Sequence, residues 1–267
     1  MQARKLPALR GAFWIVAGFH LYRRNPPLLI MLTLGYLFLV VAFGQLQPIG
    51  PFLLPLALPT LTALVANACR ALDSGLPLPQ PRSTLIVGLR EHRKALLHLG
   101  GLNLLGTLAI LGIDLIFQGD ASSTLVSGNP ESASAAGRLE DAELLWHMLR
   151  LLLIAMPVLL AFWFAPLLTA WEGLSAPKAL FFSMIAVWRN WRAFLIYGAT
   201  VALIGVVLPG VLLLVSSLLS KQLTEMLSIA LRMVLFLVLA PVLMTSIYQS
   251  YRDVFAAAAP PEPAGDA

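Results

Sequence analysis

Asn103, Thr107 and Asp114 stand four and seven residues apart in a stretch, 95–117, whose only acidic residue is Asp114 and which contains no Lys or Arg. On a helix of 3.6 residues per turn, Asn103 and Asp114 fall within about 20° of each other, so the three polar side chains form one stripe. A carboxylate in such a helix needs a cation, a polar cavity or water. Arg150 and Arg232 each stand near the start of another apolar stretch, and antiparallel spans would bring both to the depth of Asp114. Asn103, Thr107, Asp114, Arg150 and Arg232 are therefore the candidate intramembrane polar site. Two roles are open to it: an ion pair that pins helices together, or the lining of a path for a small solute.

Other chemistry finds little support. His20, His92, His98 and His147 are dispersed, and Glu91-His92 lacks a second histidine at ligand spacing. The nucleophile elbow, the phosphate-binding loop and the dinucleotide fingerprint are all missing. Paired carboxylates occur only at Glu140, Asp141 and Glu143. The single cysteine, Cys69, allows neither an intrachain disulfide nor a cysteine metal site. Gly100, Gly101 and Gly106 lie within an apolar stretch, where small residues let helices approach closely. The expectation is a non-enzymatic protein with no catalytic residue, metal or cofactor.

The elements that must hold the stripe follow from composition. Of the 267 residues, 59% are hydrophobic and 12% charged, against about 25% charged in a soluble domain. Mean hydropathy is +0.84. Six apolar runs, 26–44, 51–69, 95–117, 144–171, 193–215 and 226–248, are each long enough to cross a bilayer. The net charge of +5 is held in short clusters beside these runs, a topology signal and not a face for nucleic acid. Pro51, Pro55 and Pro59 share one helix face, so the second span should kink and leave carbonyls that need partners inside the bundle. Pro157, Pro166 and Pro241 mark the fourth and sixth spans. Arg23 and Arg24 interrupt the first apolar segment, which reads as an uncleaved anchor. Residues 1–255 form a single polytopic membrane domain, with 118–143 a mobile periplasmic loop and 256–267 a disordered tail. With six spans, fourteen of the eighteen Lys and Arg residues fall on the side of both termini, leaving only Arg138, Arg150, Lys221 and Arg232 on the other. Both termini should be cytoplasmic.

The order of elements repeats. A basic, partly apolar segment precedes a span, and a proline-bearing span returns to a charged end, in units of about 7–73, 80–173 and 175–253. The separation from Gly18 to Arg24 recurs from Gly88 to Lys94 and from Ser183 to Arg189. The chain is thus expected to be an all-α membrane protein, with six transmembrane helices in three parallel two-span repeats. Each repeat is preceded by a cytoplasmic interfacial amphipathic helix, as in 7–24, 83–94 and 175–190. In the first of these, Leu9, Phe13, Val16 and Phe19 form the apolar stripe. Arg23, Arg24, Arg93, Lys94, Arg189 and Arg192 are candidate contacts to lipid headgroups, which makes membrane lipids the expected partners.

Gly18-Phe-His-Leu-Tyr-Arg-Arg-Asn-Pro26, the run Ala68-Cys-Arg-Ala-Leu-Asp73, and 179–198 with Ser183, Asn190, Tyr197 and Gly198 resemble a proteobacterial family of multi-pass integral membrane proteins. The resemblance covers nearly the whole chain and implies a bacterial inner-membrane location. It attaches no activity and no functional residue. The second repeat departs from the pattern, with Lys94-Ala95 where Arg-Asn stands elsewhere. The expected role is membrane organisation, sensing or lipid binding, with small-solute transport or a channel along the Asn103–Asp114 stripe as the alternative.

Overall fold

The computed structural model describes residues 4–75, 82–121 and 133–255, and all regular structure among them is helical. Six helices among the described residues are long and apolar enough to cross a membrane: Pro26–Gln45, Gly50–Asp73, Arg93–Ile116, Leu145–Glu172, Trp191–Leu219 and Lys221–Phe255. They match the six apolar runs of the sequence.

Helix α1 (Arg10–Arg24) ends at Asn25, and α2 (Pro26–Gln45) begins at once. The Asn25 side chain accepts from the Leu28 amide at 3.1 Å, and the two prolines occupy the first turn, where a missing N–H costs nothing. After a short turn, α3 (Gly50–Asp73) returns with Pro55 and Pro59 inside it. Helix α4 is only Arg82–Leu85, and α5 (Arg93–Ala121) follows. The fourth span starts as α6 (Ala133–Phe162), breaks at Trp163 and Phe164, and resumes as α7 (Ala165–Glu172). Gly173, with φ of 63°, closes α7 in the left-handed conformation that glycine adopts without penalty. Helix α8 (Ala176–Arg189) leads through Asn190 into α9 (Trp191–Ala202), a π-helical turn at Leu203–Val207, and α10 (Leu208–Leu219). The last span is α11 (Lys221–Val234), a second π-helical turn at Leu235–Leu239, and α12 (Ala240–Phe255).

Two expectations need correction. The helix expected over 83–94 is not continuous: α4 stops at Leu85, and turns lead from 86 to 92. Asn67 of α3 draws the Leu85 and Val87 carbonyls onto its side-chain amide at 2.8 and 3.0 Å, and Gly88 takes a φ of 71°, so the backbone leaves the helical path. The loop expected over 118–143 is shorter, because α5 runs on through Ala121 and α6 begins at Ala133. Only its middle, 122–132, lies outside the described residues, as do the connector 76–81 and the tail 256–267. Helix α1 turns its Leu9, Phe13, Val16 and Phe19 stripe away from the protein. Those residues are exposed, while Gly11, Trp14, Ile15, Gly18, Leu21 and Tyr22 pack inward on α9 and α12.

The core sits at one end of the bundle. Trp14, Trp163, Phe164, Phe194 and Tyr197 meet edge-on, and Trp171, Tyr248, Tyr251 and Phe255 continue the cluster. Edge-to-face pairs of this kind add roughly 0.5–1.5 kcal/mol beyond area burial. The opposite half of the last two spans is uncovered, from Val206 through Met233. Close approach at the packed end depends on glycine. A Cβ on Gly88 would overlap the Ala170 carbonyl, whereas one on Gly101 would meet nothing. Gly88→Ala should therefore lower stability in detergent by about 1–3 kcal/mol or more, with Gly101→Ala near neutral. Thermal unfolding of the two purified variants checks this, and equal melting temperatures would refute the contact.

Candidate functional site

The polar stripe of α5 divides into two unrelated parts. Asn103 donates through Nδ2 to the Pro55 carbonyl of α3 at 3.0 Å. That carbonyl would normally accept from the residue four positions on, but that residue is Pro59, which has no N–H. Thr107 turns its hydroxyl onto the Asn103 carbonyl of its own helix at 2.9 Å. Both groups thus serve the backbone.

Asp114 is buried and belongs to a different contact. Antiparallel packing of α5 on α6 places Gly106 against Val158, and eight residues further along each helix stand Asp114 and Arg150. Arg150 donates to Asp114 Oδ1 through Nη2 at 3.1 Å and Nε at 3.3 Å. His147 lies one turn from Arg150, with Nδ1 2.9 Å from the same Nη2 and 3.8 Å from Asp114 Oδ1. A guanidinium has no acceptor, so in this contact Arg150 is the donor. Arg232 does not join this cluster. It folds back along its own helix onto Ser228, through Nε to the carbonyl at 3.2 Å and through Nη2 to the hydroxyl at 3.1 Å. Helix α11 touches α10 and the π-helical turn after it, which leaves Arg232 away from α5.

The six headgroup candidates also separate. Arg24 is held by the Leu72 and Asp73 carbonyls at 3.2 Å and lies 3.6 Å from the Asp73 carboxylate. Arg192 stacks on Trp191, its guanidinium carbon 5.4 Å from the ring centre. Arg23 and Arg189 are exposed at the ends of their helices. Arg93 and Lys94 stand at the mouth of a cavity of about 360 Å³ between α3 and α5, with Leu56, Thr60, Leu89, Leu96 and Leu97 as its walls. Its size lies within the usual range for small-ligand sites.

Three further polar centres lie outside the candidate residues. Asn67 is buried: its Nδ2 donates to the Leu85 and Val87 carbonyls, and its Oδ1 accepts from Trp171 Nε1 at 2.7 Å. A lone amide between alanines in an apolar helix was the available signal. Asp73 gathers the Tyr248 hydroxyl at 2.9 Å together with Arg252 and Arg24, and Asp253 accepts from Trp14 Nε1 at 3.0 Å and pairs with Arg10. Among the described residues, no group of three His, Cys, Asp or Glu side chains could hold a metal ion.

A probable inner membrane protein of Burkholderia thailandensis is 32% identical to the chain over 203 residues, which covers 74% of each. The chain belongs to that family. No family model matches, and no solved structure matches. With six apolar helices, membership makes this a multi-pass protein of the inner membrane. The relative's name carries a location and no reaction, so any further role has to come from the geometry.

The Asn103 bond can be measured through its cause. Asn103→Leu should cost about 1–3 kcal/mol by leaving the Pro55 carbonyl without a donor. With Pro59→Ala restoring the N–H, the same substitution should cost distinctly less. A double-mutant cycle on unfolding free energy reads the coupling, and additive effects would dissociate Asn103 from the proline.

Proposed function

We propose that the protein is a non-enzymatic organiser of the inner membrane that binds anionic phospholipid in the groove between α3 and α5. The observation that carries this reading is the lining itself. Two exposed cations stand over walls of leucine, the arrangement that a phosphate above an apolar chain requires. Each basic segment meets its span at a joint, near 24–26, 92–95 and 189–191, and at the first of these Arg24 is by contrast held by protein acceptors. The transport alternative draws less support, because Asn103 and Thr107 are bonded to backbone carbonyls and do not line an open path.

The reading includes three parallel repeats closed into a ring, with both termini cytoplasmic. Its support is the source of the groups that bridge the broken spans. Asn103 of the second unit reaches Pro55 in the first, and Ser183 of the third accepts from the Phe164 amide and donates to the Leu160 carbonyl in the second. Tyr22 of the first donates to the Leu237 carbonyl in the third at 3.1 Å. Each unit completes the one before it. The exposed stripe of α1 and the outward Phe181, Ile185 and Trp188 of α8 suit helices lying in the inner leaflet.

Two experiments test this. In nanodiscs or detergent, phosphatidylglycerol should bind the wild type, and Arg93→Gln with Lys94→Gln should weaken it about thirtyfold, at about 1 kcal/mol per cation near the surface. Unchanged binding would remove the site. A green fluorescent protein fused after Ala267 should fluoresce in cells, as only a cytoplasmic C-terminus permits, and a dark but inserted fusion would reverse the topology.

A further inference from the structure

We infer that Thr60 makes the groove selective for ester-linked glycerophospholipids by donating its hydroxyl to a glycerol ester carbonyl. This rests on the phospholipid reading above and adds what the lipid must contain below its phosphate.

The register of α3 on α5 supplies the depth. Gly100 packs against Leu56, and Asn103 bonds Pro55, which closes the groove on that side. Moving away from this contact, α3 reaches Thr60 after one turn, and α5 reaches Leu96 and then Arg93 and Lys94. At 1.5 Å per residue, Thr60 lies opposite Leu96 and about 4.5 Å deeper than the start of α5. That offset separates a phosphodiester from the ester groups on its glycerol. Apart from the two cations, Thr60 is the only polar side chain among the residues that line the cavity.

The hydroxyl is also available. Thr107, Thr200 and Thr245 each turn theirs onto a backbone carbonyl of their own helix, at 2.9, 2.7 and 2.8 Å. Among the described residues, Thr60 has no such bond. It is half-buried in the wall, so a lipid seated there would displace the water it would otherwise bond. A donor with no acceptor in the protein, one turn below two cations and between leucines, matches the acceptor sequence of a diacyl phospholipid. A dialkyl-ether lipid offers the same phosphate and the same chains but no carbonyl.

The full chain, purified in detergent, is titrated with phosphatidylglycerol in its diester form and in its dialkyl-ether form, and bound lipid is counted by native mass spectrometry. The wild type should bind the ester form about fivefold more tightly, the size of one hydrogen bond. Thr60→Val should bring ester binding down to the ether level and leave ether binding unchanged, while Thr60→Ser keeps the preference. Equal wild-type affinity for the two lipids, or a Thr60→Val effect of the same size on both, overturns the role of Thr60. If Arg93→Gln with Lys94→Gln still weakens both lipids in that case, the phospholipid reading stands without it. If those substitutions change neither lipid, the underlying reading has failed instead. Displacement of the lipid by millimolar glycerol phosphate would assign the groove to a soluble phosphate and overturn both.

Discussion

A proline inside a membrane span leaves a carbonyl that neither water nor its own helix can satisfy, and the packing of this protein follows from that constraint. An unpaired backbone group in hydrocarbon costs several kcal/mol, so a span of this kind is viable only beside something that can donate. The three returning spans contain Pro59, Pro166 and Pro241. At the first, an amide side chain from a neighbouring span donates, and at the third a phenol from α1 does so. At the second, the helix breaks at Trp163 and Phe164 ahead of Pro166, and the Ser183 hydroxyl accepts from the Phe164 amide and donates to the Leu160 carbonyl across the break. In each case the bridging residue fixes where a neighbouring helix must lie. Chain segments that would otherwise float in lipid are thereby given an address.

Those addresses explain why the tight core is confined to one end. The bridging residues from α1 and α8 bring two extra helices against the ends of α6, α7, α9 and α12, so aromatic side chains there are surrounded on all sides. Polar groups in this crowded end are matched nearly one to one. Asn67 donates to two carbonyls and accepts from an indole, and Asp73 binds a tyrosine and two arginines. Arg24 and Arg252 are more than half exposed, so these ion pairs at the water boundary contribute little net stability. The outer halves of the spans have no such partners. There, lipid replaces protein as the neighbour of Leu212, Leu218 and Met226, and no hydrophobic force draws the helices together.

The parts of this arrangement that were legible in the sequence are those set by local chemistry. Six apolar runs predict six spans, and the need of the Pro59 kink for a partner was readable because a missing N–H is a property of one residue. That the partner is Asn103 was not readable, since it depends on the register of α3 on α5. The same limit applies to Asp114: depth alone admits both Arg150 and Arg232, and only packing of Gly106 on Val158 selects the first. Helix periodicity also failed over 83–94, because Asn67, distant in sequence, takes the carbonyls that a continuous helix would use. On α1 the apolar stripe faces outward, and a second face with Trp14 and Leu21 packs. In a membrane protein, the apolar face of a helix can be the outward one, so amphipathicity alone does not say which side packs.

The second joint is where the plan of the chain is least satisfied by protein, and this is why the groove there is the place to look for a ligand. At the first joint, Asn25 caps α2, and at the third, Asn190 ties the N-terminal segment through the Leu6 amide at 2.8 Å and the Arg4 carbonyl at 2.9 Å. The second joint has Ala95 at the matching position and no asparagine. Its helix is unwound by Asn67 and Gly88, so α5 starts abruptly with Arg93 and Lys94 in its first turn. Cations there oppose the helix dipole, and the first-turn amides of any helix lack internal partners. A phosphate would correct both defects at once, and the leucine walls beneath would accept the chain attached to it. What protein supplies at the other two joints, a lipid can supply at this one.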